Sequence, residues 1–111
     1  MACEGGVEAL SPIEVGEQLD GLSRWRMIDE GRRIRRDWRA KTFAVGMAFL
    51  NRVAALAEEQ GHHPDLHLEE YRHVWIALWT HAIGGLSEND LILAAKINPI
   101  ADSMQLGEWP Q

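Results

Sequence analysis

A single cysteine, Cys3, is all the thiol that this 111-residue chain carries. It can close no intrachain disulfide and build no thiolate metal cluster. Long apolar runs are missing as well, and nothing approaches the roughly 20 residues of a bilayer-spanning helix. The opening MACEGGVEAL has no basic stretch followed by an apolar one, so no secretory signal is expected and the cytoplasm is the default location. A basic excess is also absent. The net charge is −6 and the pI about 5.3, so neither nucleic acid nor membrane is expected as a direct partner. Repeats and low-complexity segments are lacking, and this length suits one domain with one core.

What is present reads as alternating helices and strand pairs. Ser11 caps a short helix, with Pro12 in its first position and Glu14 completing a capping box. Ile13 and Leu19 are expected to face inward, and Gly21 ends it. From Ser23 the period drops to two, with Trp25 and Met27 on one side, a turn at Asp29–Gly31, then Ile34, Arg36 and Trp38 against Arg33, Arg35, Asp37 and Arg39. This predicts a hairpin. Its arginines are read as a solvated face or as a surface for an acidic partner.

Thr42 to Gln60 is the strongest helix. Phe43, Met47, Leu50, Ala54 and Ala57 are expected on its inner face, widened by Val45, Phe49, Val53 and Leu56, with Gly61 as terminator. Leu66–Leu68 begins a strand, Glu69–Glu70 turns, and YRHVWIALWTH alternates. Val74, Ile76, Leu78 and Thr80 form one face; Tyr71, His73, Trp75, Ala77, Trp79 and His81 form the other. Ser87, with Asp90 as its partner, caps a last helix that Asn98–Pro99 should stop. The expected fold is α+β: an antiparallel sheet of about four strands with helices on one face. The domain spans residues 11–98, between a flexible segment 1–10 and a weakly ordered tail 99–111 in which Trp109 could dock. The sheet's uncovered face would carry His73, Trp75, Trp79 and His81.

Histidine is where the chemistry concentrates. GHHPDLHL holds three of the five histidines. Adjacent His62 and His63 in an extended segment point to opposite sides, which is poor geometry for chelating one ion, so no metal is expected. Acid–base work suits their position better: His62 and His63 follow a helix end, and His81 ends a strand before Gly84–Gly85. From spacing alone, structural or solvated histidines remain the favoured reading.

The run EEQGHHPDLHLEEYRHVWIALWTHAIGGLSEND resembles the signature of the pterin-4a-carbinolamine dehydratases. Glu58, His62, His63, Pro64, Tyr71, His81 and Asp90 fill that pattern in order. The similarity extends upstream to Trp25 and Phe43, and covers nearly everything from Ser11 to Asn98. It implies dehydration of 4a-hydroxytetrahydropterin to the quinonoid dihydropterin, with no metal or organic cofactor. It further implies that His62 and His81 do acid–base work and that His63 mainly holds the pterin. Glu58 would support a histidine from the helix end, Trp25 would pack at the mouth, and Pro64, Asp65 and Asp90 would border the substrate. The family's members are dimers or tetramers, and some also bind proteins.

Three features depart from that pattern. The spacer DLHLEE between Pro64 and Tyr71 is one residue longer than in the animal enzymes, and Ala82 follows the third histidine where many bacterial dehydratases have Asp. Trp75 and Trp79 replace small polar residues. On an uncovered face they predict an apolar patch for an oligomer interface, for substrate stacking or for a protein partner. HHPDLHL, WTHAIGGLSEND and LAAKIN are also similar to a divergent, dehydratase-like branch of Rubisco assembly factors, associated with carboxysomes and plastids. That resemblance implies Rubisco subunits as partners of Trp75 and Trp79, and a carboxysome-associated location.

Overall fold

Eight residues, Pro12–Leu19, form α1, and the cap is the one the sequence spells out: Ser11 Oγ accepts from Glu14 N (3.2 Å), and Glu14 Oε1 accepts from Ser11 N (2.9 Å). These hydrogen bonds lower the Glu14 pKa, those from Ser11 outweighing a small opposing burial effect. The structure, a computed structural model, describes residues 8–22 and 24–110. Cys3 and Ser23 lie outside them, as does most of the segment expected to be flexible; within that segment Leu10 N donates to Leu86 O (2.7 Å).

After α1 come β1 (Arg26–Ile28), a 3-10 turn at Asp29–Gly31, β2 (Arg33–Arg39), α2 (Phe43–Gln60), β3 (Asp65–Glu69), β4 (His73–Leu78), α3 (Glu88–Ser103) and β5 (Gly107–Glu108). The sheet is antiparallel in the order β1-β2-β4-β3, and β5 pairs with β2 at Trp38 and Arg39, beyond the reach of β1. The three helices bury one face of it. Val15 from α1, Phe49 and Val53 from α2, and Leu93, Ala94 and Ile97 from α3 close over Ile34, Trp38, Val74, Ile76 and Leu78. The alternation predicted for β2 and β4 is thus the real one.

Three local expectations need correction. Ile13 is 77% exposed, and Val15 is the buried residue of α1. Phe43 and Met47 are 53% and 42% exposed, because α2 turns Gly46, Phe49, Val53 and Ala57 to the sheet instead. Gly46 permits this close approach: a Cβ there would lie 3.3 Å from Leu68 Cδ1.

The third concerns Pro99, which does not stop α3. The helix runs on to Ser103 with Pro99 on its solvent side, while Ile97 and Ala101 beside it are fully buried. An interior proline costs about 3 kcal/mol, and the contacts of this turn offset it. Asn98 Oδ1 accepts from both Trp25 Nε1 (2.8 Å) and Arg36 Nη1 (2.7 Å). The segment after it is not loose either: Glu108 Oε2 pairs with Arg36 Nη2 (3.0 Å), and Trp109 stacks on His73 with ring centres 4.0 Å apart.

Candidate active site

Antiparallel pairing of Asp65 with Ala77 puts the start of β3 and the end of β4 at one end of the sheet. The C-terminus of α2 and the N-terminus of α3 lead into the same end. Gly61 closes α2 in the left-handed conformation (φ 67°), its N–H shared between Ala57 O and Glu58 O. His62 N then bonds to Ala57 O (3.2 Å), which turns the His62 side chain inward.

Inside, His62 meets a carboxylate. Its Nε2 lies 2.5 Å from Asp90 Oδ1, and Asp90 has no exposed surface. The other Asp90 oxygen accepts from Thr80 Oγ1 (2.8 Å) and from Ser87 N (2.9 Å), while the Thr80 and Ser87 hydroxyls lie 2.7 Å apart. Asp90 therefore caps α3 and orients His62 with the same two oxygens. Both oxygens of this buried carboxylate have defined partners, the condition under which such a group is rigid rather than costly.

His63 points the other way, as an extended chain requires. Its Nε2 pairs with Glu58 Oε2, both groups being largely exposed. His81 follows Thr80 directly, in a 3-10 turn closed by Gly84 (φ 62°) and by the Thr80 N to Gly85 O bond (2.8 Å). Its exposed ring lies 4.4 Å from that of Trp79. Thr80 is thus the link: its hydroxyl serves the His62 pair, and its backbone sets the position of His81.

The remaining candidates divide. Pro64 and Asp65 are half-buried at the start of β3, where Asp65 Oδ2 lies 3.5 Å from Arg33 Nη1. Trp25 does not stand at a mouth. It is a core residue, edge to face with Trp38 at 5.9 Å and anchored on Asn98. Asp90 cannot border a substrate either; it stands behind His62. Thr80 and Ser87, the other members of this network, are not among the expected site residues, although the capping partnership of Ser87 with Asp90 is the expected one. A hydroxyl just past β4 that continues the inward alternation of Val74, Ile76 and Leu78 was the available signal, since a buried hydroxyl requires a partner.

The outer face of the sheet is not a wet apolar patch. Trp75 lies between His67, stacked at 3.4 Å, and the guanidinium of Arg35 at 3.7 Å. Arg33 covers Trp79 at 4.6 Å. Beneath this layer Asp37, 5% exposed, accepts from Arg35 Nε (2.9 Å) and Nη2 (2.8 Å), from Arg26 Nη1 (3.1 Å) and from His73 Nε2 (2.7 Å). Burial pushes the carboxyl pKa up, but these hydrogen bonds and the arginine charge more than offset it and hold it down at about 2. Burial likewise lowers the pKa of Arg36, against the opposing pull of Glu108. Arg33, Arg35 and Arg36 of the arginine run are therefore held in ion pairs, while Arg32, Arg39 and Lys41 stay exposed as a solvated face would have them. Among the described residues, no three histidine, cysteine or acidic side chains converge as a metal-binding group, and no helix is long and apolar enough to cross a membrane.

Comparison with known proteins gives a consistent picture. The family model described as pterin 4 alpha carbinolamine dehydratase matches residues 8–100. A mitochondrial pterin-4-alpha-carbinolamine dehydratase 2 of Arabidopsis thaliana is 45% identical over 96 residues; the match covers 85% of this chain and 51% of that protein, so the chain spans about half its length. A putative dehydratase of Dechloromonas aromatica is 38% identical, over 90% of this chain and 87% of its own length. Among solved structures, a transcriptional coactivator/pterin dehydratase from Brucella melitensis superposes with a TM-score of 0.78 at 33% identity, covering 85% of this chain and 99% of that one. A pterin dehydratase-like protein identified as a RuBisCO assembly factor in the alpha-carboxysome is also similar, with a TM-score of 0.59 at 28% identity, covering 69% and 88%.

Proposed function

The chain belongs to the pterin 4 alpha carbinolamine dehydratase family, and from that premise we propose that it dehydrates 4a-hydroxytetrahydropterin to quinonoid dihydropterin by histidine acid–base catalysis. One observation carries this reading: the buried His62–Asp90 pair, tied through Thr80 to the turn that bears His81. An ionised Asp90 keeps the imidazole proton on Nε2 and leaves Nδ1 of His62 as a lone-pair acceptor, the form a general base needs. His62 takes the N5 proton, and the C4a–N5 double bond forms as the C4a–O bond breaks. His81, exposed on the turn after Thr80, gives the leaving hydroxyl its proton, so water departs. His63, held by Glu58, positions the ring system, with Pro64 and Asp65 at its border. The chemistry needs no oxidant, metal or organic cofactor.

The test is direct. Purified protein should accelerate the dehydration, and His62→Ala or His81→Ala should each lose about 10²–10⁴-fold, the usual worth of a placed acid–base group. Wild-type protein with no rate above buffer sinks the enzymatic reading. Self-association as a dimer or tetramer belongs to it too, supported by the outward apolar ridge of Phe43 and Met47 on α2; a monomer by sedimentation removes that part.

A second reading, a non-catalytic chaperone role in Rubisco assembly, is favoured by the likeness to the alpha-carboxysome factor. Its partner-binding residues would be Trp75 and Trp79, and its place of work beside the carboxysome; under the first reading the chain works in the cytoplasm. The tryptophans are already engaged by His67, Arg35 and Arg33, which weakens this reading. Co-expression with Rubisco subunits tests it. More assembled Rubisco with the wild type, and none with a folded Trp75→Thr, Trp79→Thr variant, is the result that sustains it.

A further inference from the structure

At the opposite end of the sheet from His62, His63 and His81, a cleft of about 290 Å³ lies between the β3–β4 turn and the C-terminal segment, lined by Arg39, Glu70, Tyr71, Arg72 and Trp109. The geometry points to a second binding site there, for a small ligand that carries one carboxylate or phosphate group on an aromatic ring.

The arginines carry the argument. Arg24, Arg26, Arg32, Arg33, Arg35 and Arg36 are each ion-paired with an aspartate or glutamate. Arg39, Arg52 and Arg72 are not: among the described residues none of them has a carboxylate in ion-pair range; Arg52 lies elsewhere, bonded to Ser103 Oγ (3.3 Å), while Arg39 and Arg72 both line this cleft. In a chain of net charge −6, leaving two guanidiniums unpaired in one place is a feature to explain.

Both are also held in place by contacts that leave hydrogen-bond donors over. Arg72 spends its Nε on Ala40 O (2.8 Å), which fixes the guanidinium plane and keeps both terminal nitrogens for a ligand. Arg39 lies over the Trp109 ring at 5.0 Å and makes no hydrogen bond from its side chain among the described residues. Planar forks of this kind match the oxygens of a carboxylate or phosphate.

The remaining lining sets the rest of the ligand. The exposed Tyr71 ring and the edge of the Trp109 indole, which is itself stacked on His73 and lies under Arg39, offer aromatic contacts for a ring. Glu70 at the rim leaves the cleft one net positive charge, which favours a single anionic head and disfavours a second. The turn that presents Glu70 and Tyr71 is unusual too. Both residues, part of a three-residue loop from Glu70 to Arg72, are left-handed (φ 49° and 50°), a conformation that favours glycine or asparagine. Arg72 N to Glu70 O (2.6 Å) and Ala40 N to Arg72 O (2.9 Å) hold it in that shape.

The experiment titrates the full chain with phenyl phosphate, benzoate and phenol, followed by the indole N–H signal of Trp109 and the arginine Nε–H signals in nitrogen-15 NMR. Saturable shifts with the two anions at millimolar concentration, and none with phenol, are expected. A phosphate that binds much more tightly than benzoate assigns the head group to phosphate; equal or reversed affinity assigns it to carboxylate. Arg39→Gln, whose side chain supports no backbone group, should weaken the anion about tenfold or more with the rest of the spectrum unchanged. Arg72→Lys should weaken it while keeping the fold. No saturable shift with either anion, equal binding of phenol, or undiminished binding by Arg39→Gln overturns the proposal. Dehydratase activity does not enter these readouts, so the two sites are judged independently.

Discussion

His62 Nε2 and Asp90 Oδ1 stand 2.5 Å apart, and the carboxylate between this imidazole and the N-terminus of α3 has no exposed surface. Asp90 thus acts on chemistry only through His62. Asp90→Asn keeps the shape but cannot hold the same tautomer, and in comparable aspartate–histidine pairs that exchange costs up to about 10⁴-fold in turnover. The expected outcome is a fall in kcat of about 10²–10⁴-fold with KM little changed. A rise in KM at unchanged kcat would mean that Asp90 serves binding. Because Asn must also replace the acceptor for Thr80 and Ser87, thermal unfolding should be followed in parallel; a loss of about 1–3 kcal/mol is expected from that exchange.

Asp37 predicts an acid-labile fold. Its pKa is held at about 2 against an ordinary value of 3.8. A carboxyl depressed on folding contributes stability that is fully present above the unfolded value. That stability drains away as pH falls from about 4 through 2. The contribution is about 2 kcal/mol. Urea unfolding of the wild type should weaken over that window, and Asp37→Asn should lack this part of the slope. At neutral pH the same variant leaves Arg26, Arg35 and His73 facing no charge and should lose about 3–5 kcal/mol. An unchanged acid limb in Asp37→Asn removes the assignment.

Asn98 makes one oxygen serve two buried donors, Trp25 Nε1 and Arg36 Nη1. Asn98→Ala should cost about 2–4 kcal/mol, because each stranded donor carries about 1–3 kcal/mol of its own. Asn98→Asp keeps the acceptor and faces Arg36 with a charge, so it should be much milder. Denaturant unfolding of the two variants measures this. Equal losses would show that the residue matters only as a helix position.

Strands β2 and β4, helix α2 and Pro99 show what the sequence could and could not disclose. The period of two in β2 and β4 was legible because one face of each strand is fully buried under helices, so composition follows the pleat. The orientation of α2 was not. A helix apolar around more than half its girth does not say which arc meets the sheet, and Gly46, with no side chain to show, decided it by allowing close approach to Leu68. Pro99 is a local breaker overruled by tertiary contacts on either side of it. Asp90 and Trp25 were found as positions but misplaced in role. A motif's spacing marks which residues belong to a site's construction; it does not separate those that touch a ligand from those that hold the ones that do.

His63 and Glu58 offer the last test, because they contrast with the buried pair. Both are exposed, so their ion pair should contribute at most about 1 kcal/mol, and Glu58→Ala should leave the unfolding curve nearly unchanged. If His63 holds the pterin without moving a proton, His63→Ala should raise KM while kcat falls far less than in His62→Ala. Glu58→Ala should raise KM by a smaller factor, through a less fixed imidazole. The pH profile of kcat should keep its shape in both variants, since neither group exchanges a proton with the reacting atoms. Should His63→Ala instead lose kcat as heavily as His62→Ala, the division of labour between the adjacent histidines is wrong, and His63 must be counted among the acid–base groups.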